Sequence, residues 1–161
     1  MKKMLSLVLS LLLLSCSAAL ADNDYLNRSS LPQNSQQTAE DAFKAHLPSA
    51  VLNYIILDHD DKRFEWEIYF SNNGSLGVCE IDAVSGAVLR TKEYPEVPAG
   101  SLTADAAVKA LEDAKGKLTV LELDFERDDG HLRYEGEAEL DGRFYEFEMT
   151  VEGRIVEWER D

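Results

Sequence analysis

The sequence feature that most constrains the fold is a weak internal repetition. Residues 38–45 parallel residues 103–110, because both segments begin with Thr-Ala and an acidic residue, have Ala at the fifth position and end in Lys-Ala. Farther along, the pairs that recur at a constant spacing are Asp61 and Asp129, Glu67 and Glu135, Gly74 and Gly142, and Glu80 and Glu148. Fixed-period similarity of this kind predicts two copies of one folding unit. A unit of about 60 residues is marginal alone, so we expect the copies to pack together.

Each copy opens with a predicted helix and continues with four predicted strands. Thr38 and Thr103 stand where an N-cap hydroxyl can accept from the amides of the first turn, and Pro48 and Gly116 mark the helix ends. After each helix, segments in which apolar and polar residues alternate are separated by turn residues, and this pattern indicates four strands. In the first copy they are 51–58, 64–71, 75–82 and 87–93, and in the second copy 119–126, 132–140, 143–151 and 154–159.

The predicted fold class is α+β, with two tandem repeats that each pack one helix on a four-stranded antiparallel sheet. The turn pairs Asn73-Gly74 and Asp141-Gly142 favour two-residue type I′ hairpins, which join antiparallel strands. We divide the chain into a signal peptide (1–21), a flexible polar leader (22–37), the first repeat (38–93), a proline-containing linker (94–100) and the second repeat (101–161).

The N-terminus predicts export from the cytoplasm. Two lysines precede an apolar run over 5–14, and Ala19-Leu20-Ala21 forms an A-x-A cleavage site, as in secretory signal peptides. In the alternative interpretation, Leu13-Leu14-Ser15-Cys16 is a lipoprotein signal and Cys16 carries the lipid. Either route predicts a periplasmic or secreted protein, and no later apolar run approaches the ~20 residues of a transmembrane helix.

Composition excludes some functions and favours none. The 31 acidic residues exceed the 16 basic ones, for a net charge of -15, which argues against nucleic-acid binding because that affinity comes from Lys and Arg. A hydrophobic content of 45% is enough for a folded core. Two cysteines and three histidines show no recognised catalytic or metal-ligand spacing. We therefore predict no enzymatic activity, no catalytic residue, no cofactor and no metal ligand set.

The residues from Ile81 to Leu89, with their Asp-x-x-Ser-Gly pattern, resemble the PepSY domain, which is named for peptidase propeptides and a spore-cortex protein. The residues from Glu148 to Val156 are similar, but the turn is one residue shorter and lacks that pattern. The resemblance implies a small extracytoplasmic module that restrains or chaperones peptidases and has no catalytic residues. We therefore expect a non-enzymatic binding module, monomeric or weakly dimeric, that regulates a peptidase or another envelope protein through its sheet surfaces.

Three polar sites have both a chemical and a structural interpretation. Cys79 alternates in phase with Ile81, which favours a buried structural cysteine over a redox thiol. His46 aligns with Leu111 and is expected to be a half-buried packing residue rather than a ligand. The run Asp58-His59-Asp60-Asp61 has the residue types of a cation site but lacks the spacing of a calcium loop, so a solvated hairpin turn is favoured.

Alternation also predicts an apolar outer face in the first copy, on the side of the sheet away from the helix. Its members are Tyr54, Ile56, Tyr69, Leu76 and Val78. A contiguous apolar surface usually marks a contact. Three occupants remain open: the second copy, another molecule of this chain, or a foreign protein partner.

The matching face of the second copy is acidic. Its predicted members are Glu122, Asp124, Glu135, Glu137, Glu139, Glu146 and Glu148. Neighbouring strands place like charges side by side, where they repel unless Arg133, Arg143 or an outside cation intervenes. The face is then a solvated surface that keeps the protein soluble, a platform for a basic partner segment, or a site for cations or a small ligand.

Overall fold

The computed structural model describes residues 32–60 and 63–161. The first unit contains helix α1 (Gln36–His46) and strands β1 (Val51–Asp60), β2 (Arg63–Asn72), β3 (Ser75–Asp82) and β4 (Val88–Tyr94). The second contains helix α2 (Ala104–Lys115) and strands β5 (Thr119–Asp128), β6 (His131–Leu140), β7 (Arg143–Thr150) and β8 (Ile155–Arg160). The signal-peptide and lipidation predictions, and the leader up to residue 31, lie outside the described residues. Neither helix of the described chain has the length and apolar character that crossing a bilayer requires.

Each unit is an antiparallel meander preceded by its helix. The sheets have the strand orders β1-β2-β3-β4 and β5-β6-β7-β8. Both turn pairs have positive φ at both central residues, +48° and +89° at Asn73-Gly74 and +52° and +72° at Asp141-Gly142, as type I′ hairpins require. The predicted α+β fold with two tandem units is confirmed.

The two units share irregularities as well as strands. The register shifts between Leu52 and Tyr54 in β1 and again between Val120 and Glu122 in β5. A second shift follows Glu80 in β3 and Glu148 in β7. Bulges bend a sheet and increase its twist. Both sheets therefore bend at equivalent places.

The start of the first helix differs from the prediction. The N-cap is Ser35, whose Oγ accepts from the amide of Thr38 at 3.3 Å, so α1 begins within the segment assigned to the leader. Just before it, the amides of Gln33 and Asn34 both donate to the carbonyl of Ala83, at 2.9 and 2.8 Å. In α2 the predicted Thr103 does occupy the N-cap, but its hydroxyl donates to Asp105 at 2.5 Å instead of accepting from the helix.

The core of the first unit lies between α1 and its sheet. Its buried members are Ala39, Phe43, Trp66, Ile68, Phe70, Cys79, Ile81 and Ala83. The rings of Phe43 and Phe70 are 5.6 Å apart, and a Cβ at Gly77 would come within 2.5 Å of the Phe70 ring, so a glycine is needed beneath it. The predicted phase of β2 and β3, with Trp66 and Cys79 under the helix, is confirmed.

Candidate binding surface

The apolar outer face of the first unit is covered by the second unit. Tyr69, Leu76 and Val78 are buried, with exposed fractions of 2%, 7% and 8%, and Tyr54 and Ile56 are half-buried beside them. All five belong to a hydrophobic cluster that includes Ala107 and Leu111 of α2 and Leu123 and Phe125 of β5. Of the occupants that the sequence left open, the structure therefore has the second copy in place. A foreign partner at these five side chains would require the units to separate.

Two tyrosines of the first unit also bind the backbone of strand β5. The Tyr69 hydroxyl donates to the carbonyl oxygen of Leu123, and the Tyr94 hydroxyl donates to that of Phe125 at 3.2 Å. Strand β5 is the edge of its sheet, where the carbonyls that point away from β6 have no strand partner. Tyr94 lies one residue beyond the predicted end of β4 and is buried, so this contact starts where the sequence predicts a linker.

The uncovered outer face of the second unit carries two rows of carboxylates. One row crosses the four strands through Glu122, Glu137, Glu146 and Glu159. The other crosses them through Asp124, Glu135, Glu148 and Glu157. Partners in adjacent strands have Cβ atoms about 4.5 to 5.5 Å apart, so each carboxylate has like charges as neighbours. We call this pair of rows the acidic face.

Six of the seven predicted acidic residues belong to these rows. Glu139 lies beside them, opposite Thr119 and Phe144. Glu157 and Glu159 also belong to the rows but were not among the predicted members, because the register shift after Glu148 changes which residues of β8 point to this side. A shallow cavity of about 270 Å³ covers much of the face, with Gly136 and Phe147 in its lining.

One arginine partly compensates the acidic face. Nη1 of Arg133 lies 2.8 Å from Glu148 and 3.7 Å from Glu135. Partial burial raises the pKa of Glu135, and the charges of Glu126 and Glu148 add to that increase, whereas Arg133 opposes it. The net charge around Glu135 is therefore negative in spite of Arg133.

The acidic face continues into a cleft between the units, of about 460 Å³. Its lining residues are Asp58, His59, Glu65, Glu67, Glu80, Arg90, Glu122 and Asp124. Within it Arg90 Nε donates to both carboxylate oxygens of Glu80, at 2.8 and 3.0 Å, and Arg63 forms an ion pair with Glu65. Glu67 and Glu80 were not among the predicted site residues, although their constant spacing from Glu135 and Glu148 was a signal that pointed to them.

The carboxyl of Glu67, which lines this cleft, has a strongly raised pKa. Burial is the main cause that raises its pKa from 4.5 to about 8, and the negative charges of Asp58, Asp124 and Glu80 contribute to this increase. A hydrogen bond with Tyr69 acts in the opposite direction. A glutamate this far from its ordinary pKa is largely neutral at pH 7.

The remaining predicted sites give mixed outcomes. Cys79 is fully buried, and burial raises its thiol pKa, as a structural cysteine requires. His46 is exposed rather than half-buried, because it is the last residue of α1 and reaches the edge strand β4, where its Nε2 is 3.2 Å from Thr91 Oγ1. His59 packs its ring 4.5 Å from that of Phe64. In the part of the chain that the structure describes, no three His, Cys, Asp or Glu side chains form a group that could hold a metal ion.

The PepSY family model, described as "Peptidase propeptide and YPEB domain", matches this chain twice, over residues 35–92 and 101–150. The chain belongs to the PepSY family. The first match runs from α1 into β4, and the second runs from α2 through β7 and ends before β8, so a tandem pair of PepSY domains is confirmed. PepSY membership points to a binding or regulatory module outside the cytoplasm.

Several solved structures are similar to this tandem pair. A candidate lipoprotein from Clostridium difficile 630 is 16% identical, with a TM-score of 0.42, over 85% of this chain and 100% of that one. A BLIP-like protein from Bacteroides fragilis is 14% identical, with a TM-score of 0.31, over 86% and 90% of the two chains. A candidate periplasmic protein from Bacteroides eggerthii is 13% identical, with a TM-score of 0.30, over 79% and 88%. No curated protein matches the chain.

Proposed function

We propose that this PepSY protein is an exported, non-enzymatic binding module whose acidic face holds a basic segment of an envelope protein and thereby inhibits or regulates it. The observation that carries the proposal is the pair of four-carboxylate rows that cross the second sheet from edge to edge. The family description names peptidase propeptides, so a peptidase is the partner class that we favour.

Charge complementarity is the argument for a basic polypeptide as the occupant. Carboxylates arranged in rows repel each other, and a partner that brings Lys or Arg side chains relieves that repulsion as it binds. A single exposed ion pair contributes only about 0.2 to 1 kcal/mol, so useful affinity needs several pairs at once. A face with eight regularly spaced carboxylates can provide them.

The units divide the two kinds of surface between them. The first unit uses its apolar outer face to hold the second, and the second leaves its acidic outer face open. This arrangement supports a role in which the first unit and the junction position the second unit for binding. The proposal assigns no chemical step to the chain, and the partner-binding residues it uses are those of the acidic face.

Site-specific photo-crosslinking in the native envelope tests the proposal. A photo-reactive residue replaces Glu137, which is exposed in the middle of the acidic face, and in a matched control it replaces Glu96, an exposed residue outside it. We expect one basic protein to be captured from position 137 and not from position 96. Equal capture from both positions, or capture from neither, would contradict the proposal.

Purified components then separate protein binding from cation binding. The probe is a synthetic peptide of alternating Lys and Thr, titrated by calorimetry at low salt and again at about 0.15 M salt. We expect binding that weakens with salt and that weakens several-fold in Glu137→Gln/Glu146→Gln, but not in the control Glu96→Gln/Glu152→Gln. Calcium is titrated in the same way. If calcium binds stoichiometrically and the peptide does not bind, the result would favour cation sequestration and overturn the proposal.

A further inference from the structure

A single tyrosine hydroxyl joins a carboxyl of the first unit to the backbone of the second. Tyr69 Oη lies 2.6 Å from Glu67 Oε2, and the same hydroxyl is hydrogen-bonded to the carbonyl oxygen of Leu123. A phenolic hydroxyl has one proton to donate, and a carbonyl oxygen can only accept. When Tyr69 donates to Leu123, its contact with Glu67 is a hydrogen bond only if Glu67 is the donor. The complete chain of bonds therefore requires a neutral Glu67 carboxyl.

The charged groups around Glu67 come from every strand packed against it. They are Asp58 and His59 on β1, Glu65 on β2, Glu80 on β3, Arg90 on β4, and Glu122 and Asp124 on β5. The one arginine in this set is engaged with Glu80 through both carboxylate oxygens. The negative charges of Asp58, Glu80 and Asp124 therefore act on Glu67 in the direction that favours its neutral form.

We propose that Glu67, Tyr69 and the Leu123 carbonyl form a proton-dependent latch that holds the second PepSY unit against the first. In the closed latch the Glu67 carboxyl donates to Tyr69 Oη, and Tyr69 donates to Leu123. When Glu67 releases its proton to solvent, Tyr69 turns its own proton to the carboxylate. Leu123 then loses its donor, and a new negative charge faces Asp124 across the junction. The latch does not depend on what the acidic face binds.

The pKa values set the range in which the latch opens. Burial raises the pKa of Glu67 to about 8, and that of Tyr69 lies well above 10.0, so Tyr69 keeps its proton while Glu67 titrates. A carboxyl whose folded-state pKa is raised stabilises the fold fully below its unfolded value and loses this contribution as pH rises through the folded value. The free energy of unfolding should therefore fall as pH rises from about 4.5 to about 8, and within the folded protein the latch itself opens around pH 8.

Nuclear magnetic resonance on the exported chain tests the latch directly. Carbon-13 spectra follow each glutamate carboxyl, and nitrogen-15 spectra follow the amide of Asp124, whose nitrogen is bonded to the Leu123 carbonyl carbon. We expect Glu67 to titrate near pH 8 rather than near 4.5, and the Asp124 amide to move with the same midpoint. A Glu67 midpoint near 4.5, or an Asp124 amide that does not follow Glu67, would overturn the proposal.

Two amide variants make the test specific. Glu67→Gln keeps a side chain that can donate to Tyr69 and removes the titration, so the Asp124 amide should lose its midpoint near pH 8. Glu137→Gln makes the same chemical change on the exposed acidic face and should leave that midpoint in place. If Asp124 still titrates near pH 8 in Glu67→Gln, another group controls the junction. Should Glu67→Gln fail to fold, the two wild-type titrations still decide.

Discussion

Asp82 organises the turn between β3 and β4 through its side chain. Its Oδ1 accepts from the amides of Val84 and Ser85, at 3.1 and 2.5 Å, and from the Ser85 hydroxyl at 2.7 Å. Gly86 follows with a φ of +74°, a conformation that glycine adopts without strain. The Asp-x-x-Ser-Gly pattern of the first copy is therefore one hydrogen-bonded turn. Asp82 accepts the hydrogen bonds, Ser85 donates two of them, and Gly86 adopts the positive φ.

These hydrogen bonds lower the pKa of Asp82 from 3.8, mainly through the hydroxyl and amide of Ser85. A lowered pKa means that the ionised form stabilises the fold above pH 3.8 and that this contribution is lost as pH falls through the folded-state value. We expect Asp82→Ala to reduce the free energy of unfolding by about 1 kcal/mol at pH 6. The difference from wild type should shrink in acid.

Urea unfolding at pH 6 and at about pH 3 measures both effects. Ser85→Ala is the matched control, because it removes one donor from Asp82 and leaves the two amides. It should therefore cost less than Asp82→Ala at pH 6. A cost for Asp82→Ala that is equal at both pH values would show that the carboxylate charge does not stabilise the turn.

Residues whose environment follows from alternation could be predicted from the sequence. Cys79 and Ile81 are buried under α1, as their phase predicts, and the acidic series of β6 points away from the helix. Residues at element ends could not be predicted in the same way. Ser35 rather than Thr38 caps α1, because both hydroxyls are available and tertiary contacts of the preceding residues decide between them.

At the scale of elements, the edge strand β5 is the structural link between the units. Its carbonyls at Leu123 and Phe125 accept from tyrosines of the first unit, and its outward carboxylates line the cleft. An uncovered edge strand is a template for pairing with other chains. Placing the tyrosines of one unit on the edge of the next reduces that exposure and fixes the relative position of the sheets.

Tyr94→Phe tests this link without disturbing the latch at Tyr69. The variant keeps the ring, which packs 5.1 Å from that of Phe125, and removes the hydroxyl that donates to the Phe125 carbonyl. We expect the free energy of unfolding to fall by about 1 kcal/mol, the usual cost of one buried hydrogen bond. Urea unfolding of the full chain measures it.

The control for this variant is Tyr145→Phe. Tyr145 on β7 stacks its ring 4.7 Å from that of Trp158 on β8, the edge strand opposite β5. We expect the free energy of unfolding of Tyr145→Phe to stay within about 0.5 kcal/mol of the wild-type value. Equal losses in the two variants would indicate a general effect of removing a hydroxyl and would remove the evidence that Tyr94 stabilises the junction.

The sequence predicted the elements more completely than their register. Turn pairs and alternation locate all eight strands to within two residues at most ends. The bulges after Leu52 and Glu80 leave no comparable pattern, because one extra residue only inverts the alternation beyond it. The positions of Glu157 and Glu159 depend on such a bulge, and for that reason they were absent from the predicted face.

At the scale of the whole molecule, the two copies differ in the side chains on the outer faces of their sheets. Equivalent positions carry Tyr54 in the first unit and Glu122 in the second, or Tyr69 and Glu137. In the junction Tyr69 is buried and Tyr54 is half-buried, whereas Glu122 and Glu137 are exposed. Alternation indicates which side chains share a face and cannot show what covers it, so the sequence left three occupants open for the apolar face.

The glutamate pair Glu67 and Glu135 shows how packing changes the chemistry of a repeated residue. Both occupy the same place in their sheets, opposite Glu80 and Glu148 respectively. The second unit covers Glu67 and raises its pKa to about 8, whereas Glu135 is more than a third exposed and Arg133 lies beside it. One repeated carboxyl can therefore respond to protons while its counterpart remains available to bind a partner.

The open acidic face also has a consequence for the stability of the whole molecule. The net charge is -15, and two rows of like charges stand on one sheet. Salt screens repulsion between exposed charges once the Debye length falls below their separation. We therefore expect the melting temperature at pH 7 to rise with sodium chloride from about 0.01 M to about 0.5 M, as measured by circular dichroism.

Variants assign that salt dependence to the rows. Glu137→Gln/Glu146→Gln removes two charges that face each other in neighbouring strands, so we expect it to melt about 2 °C higher than wild type at low salt and to gain less from added salt. Glu96→Gln/Glu152→Gln changes the net charge by the same amount outside the rows. If both double variants respond to salt alike, the net charge alone determines the effect. If only the first loses its salt response, repulsion within the rows destabilises the fold, and a basic partner that neutralised them would stabilise it.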